Sequence, residues 1–165
     1  MTKDELINLI STAFVGFEFP GNENLIDSSY GDEPALVRDH FAGQSDWQIL
    51  KRESIDLDGA LSFFSNKAFI FYLPAFLIAD INEPLDFNDP SIRLCWPLTP
   101  QSENVKIAKT FGNGTIGDRA KKCFDSLTKE QTHAIVSYLQ WRLSQDENNY
   151  TIKQALHNYW LPRII

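Results

Sequence analysis

One apolar stretch decides the fold of this chain: Phe69-Ile70-Phe71-Tyr72-Leu73-Pro74-Ala75-Phe76-Leu77-Ile78, inside an element that we predict over residues 66–81. Because the stretch is apolar nearly all round, a helix formed by it has no polar face and must be buried on every side. Pro74 removes one helical hydrogen bond and crowds the preceding turn, so either the helix kinks there or a second helix begins with Pro74 at its first position. A strand over residues 68–73 is the rival interpretation.

Helix signals flank this element on its N-terminal side. Thr2 and Glu5 have the spacing of a capping box, and Pro20-Gly21 is expected to end the helix that follows. A second helix is predicted from Asp32 to a stop at Gly43, and Ser65 can cap the central element. The apolar stripes of the two N-terminal helices are formed by Leu6, Ile10, Ala13, Phe14 and Phe17, and by Leu36, Val37, His40 and Phe41.

The middle of the chain gives weaker signals. Residues 47–64 fit no single period, so they predict a short strand or a broken helix. Four prolines make a long regular element unlikely over residues 82–104. A short strand or hairpin in residues 47–64 or 92–111 therefore stays open.

The C-terminal third reads as two paired helices. Thr128 with Gln131 and Thr151 with Gln154 both have the spacing of a capping box, and residues 146–149 form a polar break between the two helices. We therefore predict a mainly α fold, a compact single-domain helical bundle over residues 1–165, packed around the buried central helix.

Charge is distributed unevenly along the chain. Residues 1–90 hold 16 Asp and Glu against 5 Lys and Arg, whereas residues 91–165 hold 6 against 10. The overall net charge of −7 hides this asymmetry. An acidic surface repels nucleic acid and membranes and attracts cationic proteins. Although Lys106, Lys109, Arg119, Lys121, Lys122 and Lys129 form a basic stretch, we expect no nucleic-acid partner and no membrane partner.

The expected compartment is the cytoplasm. The first five residues are polar and acidic, unlike the start of a signal peptide. The longest apolar run, residues 68–79, is too short to cross a bilayer as a helix. Cys95 and Cys123 lie far apart without a CxxC motif, which is typical of thiols in a reducing compartment.

Motifs that would indicate chemistry are weak. Residues 112–117 match GxGxxG literally, but the helix predicted from Thr128 takes the place of the second strand that a dinucleotide-binding unit needs. Residues 56–59 lack the closing ligands of a calcium loop. His40, His133 and His157 are spaced too widely for a metal or catalytic motif. We predict no cofactor, no metal and no catalytic residue, and expect a non-enzymatic protein. A pocket that gathers His40 or His157 with two carboxylates would favour the rival class, a small enzyme whose residues converge only in space.

Two acidic loops are the candidate partner-binding surface. Proline and an exposed aromatic such as Phe87 or Tyr30 would make such loops stiff and give them an anchor for a basic protein. The candidate residues are Asp27, Asp32, Glu33, Glu83, Asp86, Phe87 and Asp89, and Asp80 continues the same spacing.

Residues 61–77 carry a resemblance. The core Leu61-Ser62-Phe63-Phe64 … Tyr72-Leu73-Pro74-Ala75-Phe76-Leu77 resembles a bacterial family of uncharacterised small proteins with an FYLPAFL-type core. The likeness extends over residues 30–145, including His40-Phe41-Ala42-Gly43 and the opening of the helix at Thr128. It implies a compact, mainly helical cytoplasmic domain and assigns no catalytic residues. Residues 150–165 add a helix outside the resemblance.

Together these features favour a protein-binding function. The sharpest form is an immunity protein that neutralises a cationic toxin, such as a nuclease, through its acidic surface. A structural or regulatory homo-oligomer is the third class, and an exposed apolar patch around Trp160 and Leu161 would support it.

Overall fold

A computed structural model describes residues 1–27, 31–109 and 112–164. Its α-helices are α1 (Lys3–Phe14), α2 (Asp32–Phe41), α3 (Arg52–Ile55), α4 (Ala60–Phe63), α5 (Asn66–Asn82), α6 (Pro90–Cys95), α7 (Ile116–Phe124), α8 (Lys129–Gln145) and α9 (Tyr150–Ala155). Short 3-10 helices lie at Asn22–Asn24, Trp47–Ile49, Trp96–Leu98 and Leu161–Arg163, and a π-helical turn lies at Leu156–Trp160. The mainly α prediction is confirmed.

Strand pairing within the described ranges is limited to two isolated bridges. These join Ile26 to Phe64 and Lys106 to Thr115. Residues 47–64 form short helices, so the broken-helix interpretation was right and the short strand there was wrong. In residues 92–109 the structure has α6, a 3-10 turn and the first side of the Lys106 bridge, rather than a strand, and residues 110 and 111 lie outside the described residues.

The chain consists of two compact units, Met1–Pro90 and Ser91–Ile165. The boundary coincides with the change in charge along the sequence, so the first unit carries the acidic excess. None of the described helices combines the length and apolar character that crossing a bilayer requires. The single domain over residues 1–165 stays a prediction.

The first unit is organised around α5. This helix continues through Pro74 without interruption, so the strand interpretation was wrong, and Ser65 caps it by accepting a hydrogen bond from the Ala68 amide at 3.1 Å. Nearly every side chain from Ala68 to Leu77 is buried, as an element with no polar face requires. Helix α1, the Trp47–Ile49 turn and α3 pack against it.

An aromatic cluster fixes the neighbouring segments on α5. Phe41 of α2 and Phe64, which follows α4, both contact the Tyr72 ring, with centroids 4.9 and 5.1 Å away. The Tyr72 hydroxyl donates to the Gln44 carbonyl at 2.7 Å. The central helix therefore positions residues 40–64, which line one of the two hollows described below and part of the other.

Two helix details differ from the sequence prediction. Helix α1 ends at Phe14 rather than at Pro20, because Val15 leaves the helix in an extended conformation and Gly16 adopts a positive φ of 81°. Helix α2 has the predicted bounds, but Leu36 and His40 are exposed, so they do not belong to its buried stripe. Ten residues of helix bury only a narrow stripe.

The second unit holds the well-capped helices of the C-terminal third. Thr128 and Gln131 form the predicted capping box of α8. Helix α9 begins earlier than predicted, because the Asn149 side chain accepts from the Ile152 amide at 3.1 Å and caps the helix. Thr151 therefore lies inside the helix, and its predicted capping box was wrong.

Candidate functional site

The acidic loop after α5 is held in place by two buried polar side chains. The Asp80 carboxylate is fully buried and accepts from the Leu85 amide at 3.0 Å. Further on, the Asn88 amide group donates to the carbonyls of Ile55 and Leu57, at 2.8 Å each. The loop is thus fixed near both ends by hydrogen bonds, and Asp80 has a structural role rather than the surface role that its spacing predicted.

The side chains of Asp86 and Phe87, which lie between Leu85 and Asn88, face outward. Asp86 is exposed, and Phe87 is 75% exposed, an unusual position for a large aromatic ring. Since Leu85 and Asn88 on either side are buried, the backbone holds the Phe87 ring at the surface. The stiffness of this loop and its role in presenting Phe87 to a partner stay predictions.

This loop forms one wall of a hollow of about 340 Å³, which we call the acidic hollow. It brings together three of the predicted residues, Glu83, Asp86 and Phe87, and adds two that the sequence analysis missed, Arg52 and Asp56. Arg52 and Asp56 lie in a different part of the chain, and no local motif signals that they meet the loop.

Arg52 links the carboxylates of the acidic hollow. Its Nε atom lies 2.8 Å from Asp56 Oδ2, and its guanidinium reaches Glu83 at 3.6 Å. The hydrogen bond to Asp56, with the nearby charges of Asp56, Glu83 and Asp86, raises the pKa of Arg52. One cation therefore faces three carboxylates, so the acidic hollow keeps a net negative charge.

The other predicted acidic residues lie elsewhere. Asp27, Asp32, Glu33 and Asp89 do not line the acidic hollow. Asp32 and Glu33 occupy the first turn of α2, where a carboxylate stabilises the positive end of the helix dipole. Tyr30, the other predicted anchor, is outside the described residues.

A second hollow, of about 590 Å³, lies beside the end of α2, and we call it the His40 hollow. His40 Nε2 lies 3.0 Å from the Ser54 hydroxyl, which also donates to Gln44 Oε1 at 3.2 Å. The Gln44 amide nitrogen in turn donates to the His40 carbonyl at 2.6 Å. Asp46 and Glu53 line the same hollow, so the structure does gather His40 with two carboxylates.

The glycine-rich segment forms a turn and a helix start. Thr115 and Asp118 form a capping box, so a carboxylate occupies the N-terminus of α7, where a dinucleotide fold would hold a phosphate. A Cβ atom on Gly117 would lie 2.8 Å from the Glu103 carbonyl oxygen, which explains the glycine by packing. Phe111, at the start of the predicted turn, is outside the described residues.

The described ranges contain neither a cluster of potential metal ligands nor a disulfide. No group of three or more His, Cys, Asp or Glu side chains is placed there to hold a metal ion. Cys95 and Cys123 are both buried, and neither takes part in a disulfide there.

Trp160 and Leu161 do not form an exposed apolar patch within the described residues. Trp160 is fully buried, and its indole N–H donates to the Leu94 carbonyl at 3.1 Å. Leu161 is only half-buried, so it contributes little exposed apolar area by itself.

Comparison with known proteins gives a match to a protein-family model that covers residues 2–164. The chain belongs to DUF6714, a family of unknown function. No curated protein and no solved structure matches it. The DUF6714 match includes residues 150–164, so the C-terminal helices belong to the matched region, whereas the bacterial family with the FYLPAFL-type core stays a prediction. The description of DUF6714 states no activity, so any function has to be argued from the geometry.

Proposed function

We propose that this chain is a non-enzymatic binding protein that docks a cationic protein on the acidic hollow, with Phe87 as the anchor. In its sharpest form it is a cytoplasmic immunity protein that covers a basic toxin, such as a nuclease. The observation that carries the proposal is the exposed Phe87 ring, held outward by an anchored loop beside three carboxylates.

Anchoring supports binding because a preformed loop loses little conformational entropy when a partner arrives. The hydrogen bonds of Asp80 and Asn88 fix the loop before binding. Aromatic side chains that fill a partner pocket commonly contribute a large part of the binding energy of an interface. We therefore assign the anchor of the proposed interface to Phe87.

Charge supports a cationic partner. The first unit holds 16 acidic and 5 basic residues, so it attracts a positively charged protein over a distance and accelerates the encounter. Within the acidic hollow, Arg52 neutralises only part of the charge of Asp56, Glu83 and Asp86. An arginine or lysine of the partner can therefore pair with Asp86 and lie against the Phe87 ring.

A site-specific cross-link tests the proposal. A photoreactive phenylalanine analogue replaces Phe87 in the full chain inside the native cell, and the same analogue at Val15, which is 62% exposed in the same unit, is the control. We expect a basic protein to be captured from position 87 and not from position 15. A toxin encoded directly upstream of this chain's gene would be the foremost candidate for the captured protein.

Binding kinetics with the captured protein, purified, then decide the mechanism. Asp86→Lys and Glu83→Lys should slow association, and Phe87→Ala should speed dissociation. Equal binding at low and high salt would contradict the proposal. Sedimentation of the chain alone separates it from the homo-oligomer class, for which a concentration-dependent dimer is expected.

A further inference from the structure

We propose that the His40 hollow is a second and independent site, in which the Ser54 hydroxyl is acylated by small neutral esters and His40 Nε2 accepts its proton. This activity does not depend on the acidic hollow. It rests on the placement of a hydroxyl and an imidazole from different helices at the wall of one cavity.

The Ser–His pair has the geometry that nucleophile activation needs. His40 lies in the last turn of α2 and Ser54 lies in α3, and their Nε2 and Oγ atoms are 3.0 Å apart. A serine is a weak nucleophile by itself and is activated by an adjacent base within hydrogen-bond reach. The pair meets that condition.

Gln44 provides an acceptor for the Ser54 hydroxyl proton when that proton does not point to His40. The side-chain nitrogen of Gln44 donates to the His40 carbonyl at 2.6 Å, so the side-chain oxygen Oε1 faces Ser54. The backbone carbonyl of Gln44 accepts from the Tyr72 hydroxyl at 2.7 Å. The Ser54 hydroxyl donates to Gln44 Oε1 at 3.2 Å, and in the tautomer whose Nε2 carries no proton it can donate instead to His40 Nε2, 3.0 Å away. Since a hydroxyl hydrogen rotates freely, it can turn from the amide to the imidazole when a substrate enters.

The hollow suits a small neutral substrate. Its volume of about 590 Å³ lies within the usual range of ligand pockets, roughly 300–1,000 Å³. Ile49, which is 76% exposed, gives it an apolar wall. Asp46 and Glu53 disfavour anionic substrates, whereas Lys51 is the cation in the lining that can stabilise an oxyanion.

The reaction balances without a further reactant. Ser54 Oγ attacks the ester carbonyl carbon and forms a C–O bond while its proton passes to His40 Nε2. The tetrahedral intermediate then breaks the bond to the leaving alcohol, which takes the proton from His40. The acyl group stays bonded to Ser54 Oγ, so each chain reacts once.

Acylation by p-nitrophenyl acetate tests the inference on the full chain. We expect release of p-nitrophenol and one acetyl group on the peptide that contains Ser54, located by mass spectrometry. Ser54→Ala should abolish the modification of that peptide. His40→Gln, at an exposed position, should lower the acylation rate by about 100-fold or more, which is the usual contribution of a general base.

Control variants show whether acylation belongs to the His40 hollow. Ser62→Ala changes an exposed serine outside the lining of the His40 hollow, so it should not alter acylation. Because Ser54 is buried and Ser54→Ala can disturb folding, the decisive variant is His40→Gln. Acetylation that is absent, that falls on other residues, or that is unchanged in His40→Gln would overturn the inference while leaving the binding proposal intact.

Discussion

Replacing Asn88 with alanine tests whether the Phe87 loop is preformed. Asn88 is 4% exposed and donates to two carbonyl oxygens at 2.8 Å. Each such bond contributes about 1 kcal/mol net, and a buried acceptor left without a partner costs about 1–3 kcal/mol. The bond that Asn88 accepts from Leu61 is 3.5 Å long and adds little. We therefore expect Asn88→Ala to lower the free energy of unfolding by about 3 kcal/mol.

Urea unfolding followed by tryptophan fluorescence measures this change, as a lower midpoint with an unchanged slope. Asn82→Ala, at the exposed end of α5, is the matched control and should change the free energy by less than about 0.5 kcal/mol. Asn88→Asp replaces the two N–H donors of Nδ2 by one carboxylate oxygen that faces the two carbonyl oxygens, so it should destabilise the chain at least as much as Asn88→Ala does. A loss below about 1 kcal/mol for Asn88→Ala would show that the loop does not depend on this anchor.

Three further predictions concern single residues. Asn149→Ala should lower the free energy of unfolding by about 1 kcal/mol, because Asn149 is the cap of α9, and Thr151→Ala should lower it by clearly less. The reverse order in thermal melting experiments would contradict the assignment. Gly117→Ala should lower the free energy of unfolding by about 1–3 kcal/mol in the same assay, because the new methyl group meets the Glu103 carbonyl. An unchanged free energy of unfolding would show that the backbone at Glu103 moves aside without cost. Burial raises the pKa of Tyr72, so its contribution to stability is present below the ordinary tyrosine pKa of 10.0 and is lost as the pH rises above it. Ultraviolet titration should show that Tyr72→Phe removes a tyrosinate that forms well above pH 10; ionisation of Tyr72 at the ordinary tyrosine pKa of 10.0 would contradict the burial effect.

The sequence predicted those parts of the fold that depend on local chemistry. The apolar stretch around Phe71 marked the central buried helix, and Ser65 and Thr128 marked where two long helices begin. These signals lie within a few residues of the feature they predict. Capping depends on one side chain and the nearest amides, so it is readable without knowledge of the tertiary structure.

Features that depend on two residues competing for one role, or on packing against distant parts of the chain, were not predicted. Asn149 and Thr151 both offer a capping oxygen, and the spacing alone did not show that the earlier residue is used. Leu36 matched a helical stripe but faces solvent, because tertiary packing decides which side of a short helix is covered.

Only the part of the candidate site that is local in sequence was predicted, for the same reason. Glu83, Asp86 and Phe87 are close in sequence and could be grouped from their spacing. Arg52 joins them only through the tertiary fold. The Ser54–His40 contact likewise joins two helices through packing around Tyr72, and no motif announces it.

Docking of a cationic protein on the acidic hollow is tested most sharply by the association rate of the full chain with the protein captured at position 87, measured by stopped flow at two salt concentrations. Because the Debye length shortens from about 14 to about 4 Å between roughly 0.05 and 0.5 M salt, electrostatic steering by the first unit should be largely lost. We expect the rate constant to fall about tenfold or more over this range, and Asp86→Lys to lower it at low salt. A rate constant that is the same at both salt concentrations and unchanged in Asp86→Lys would rule out docking through the acidic hollow.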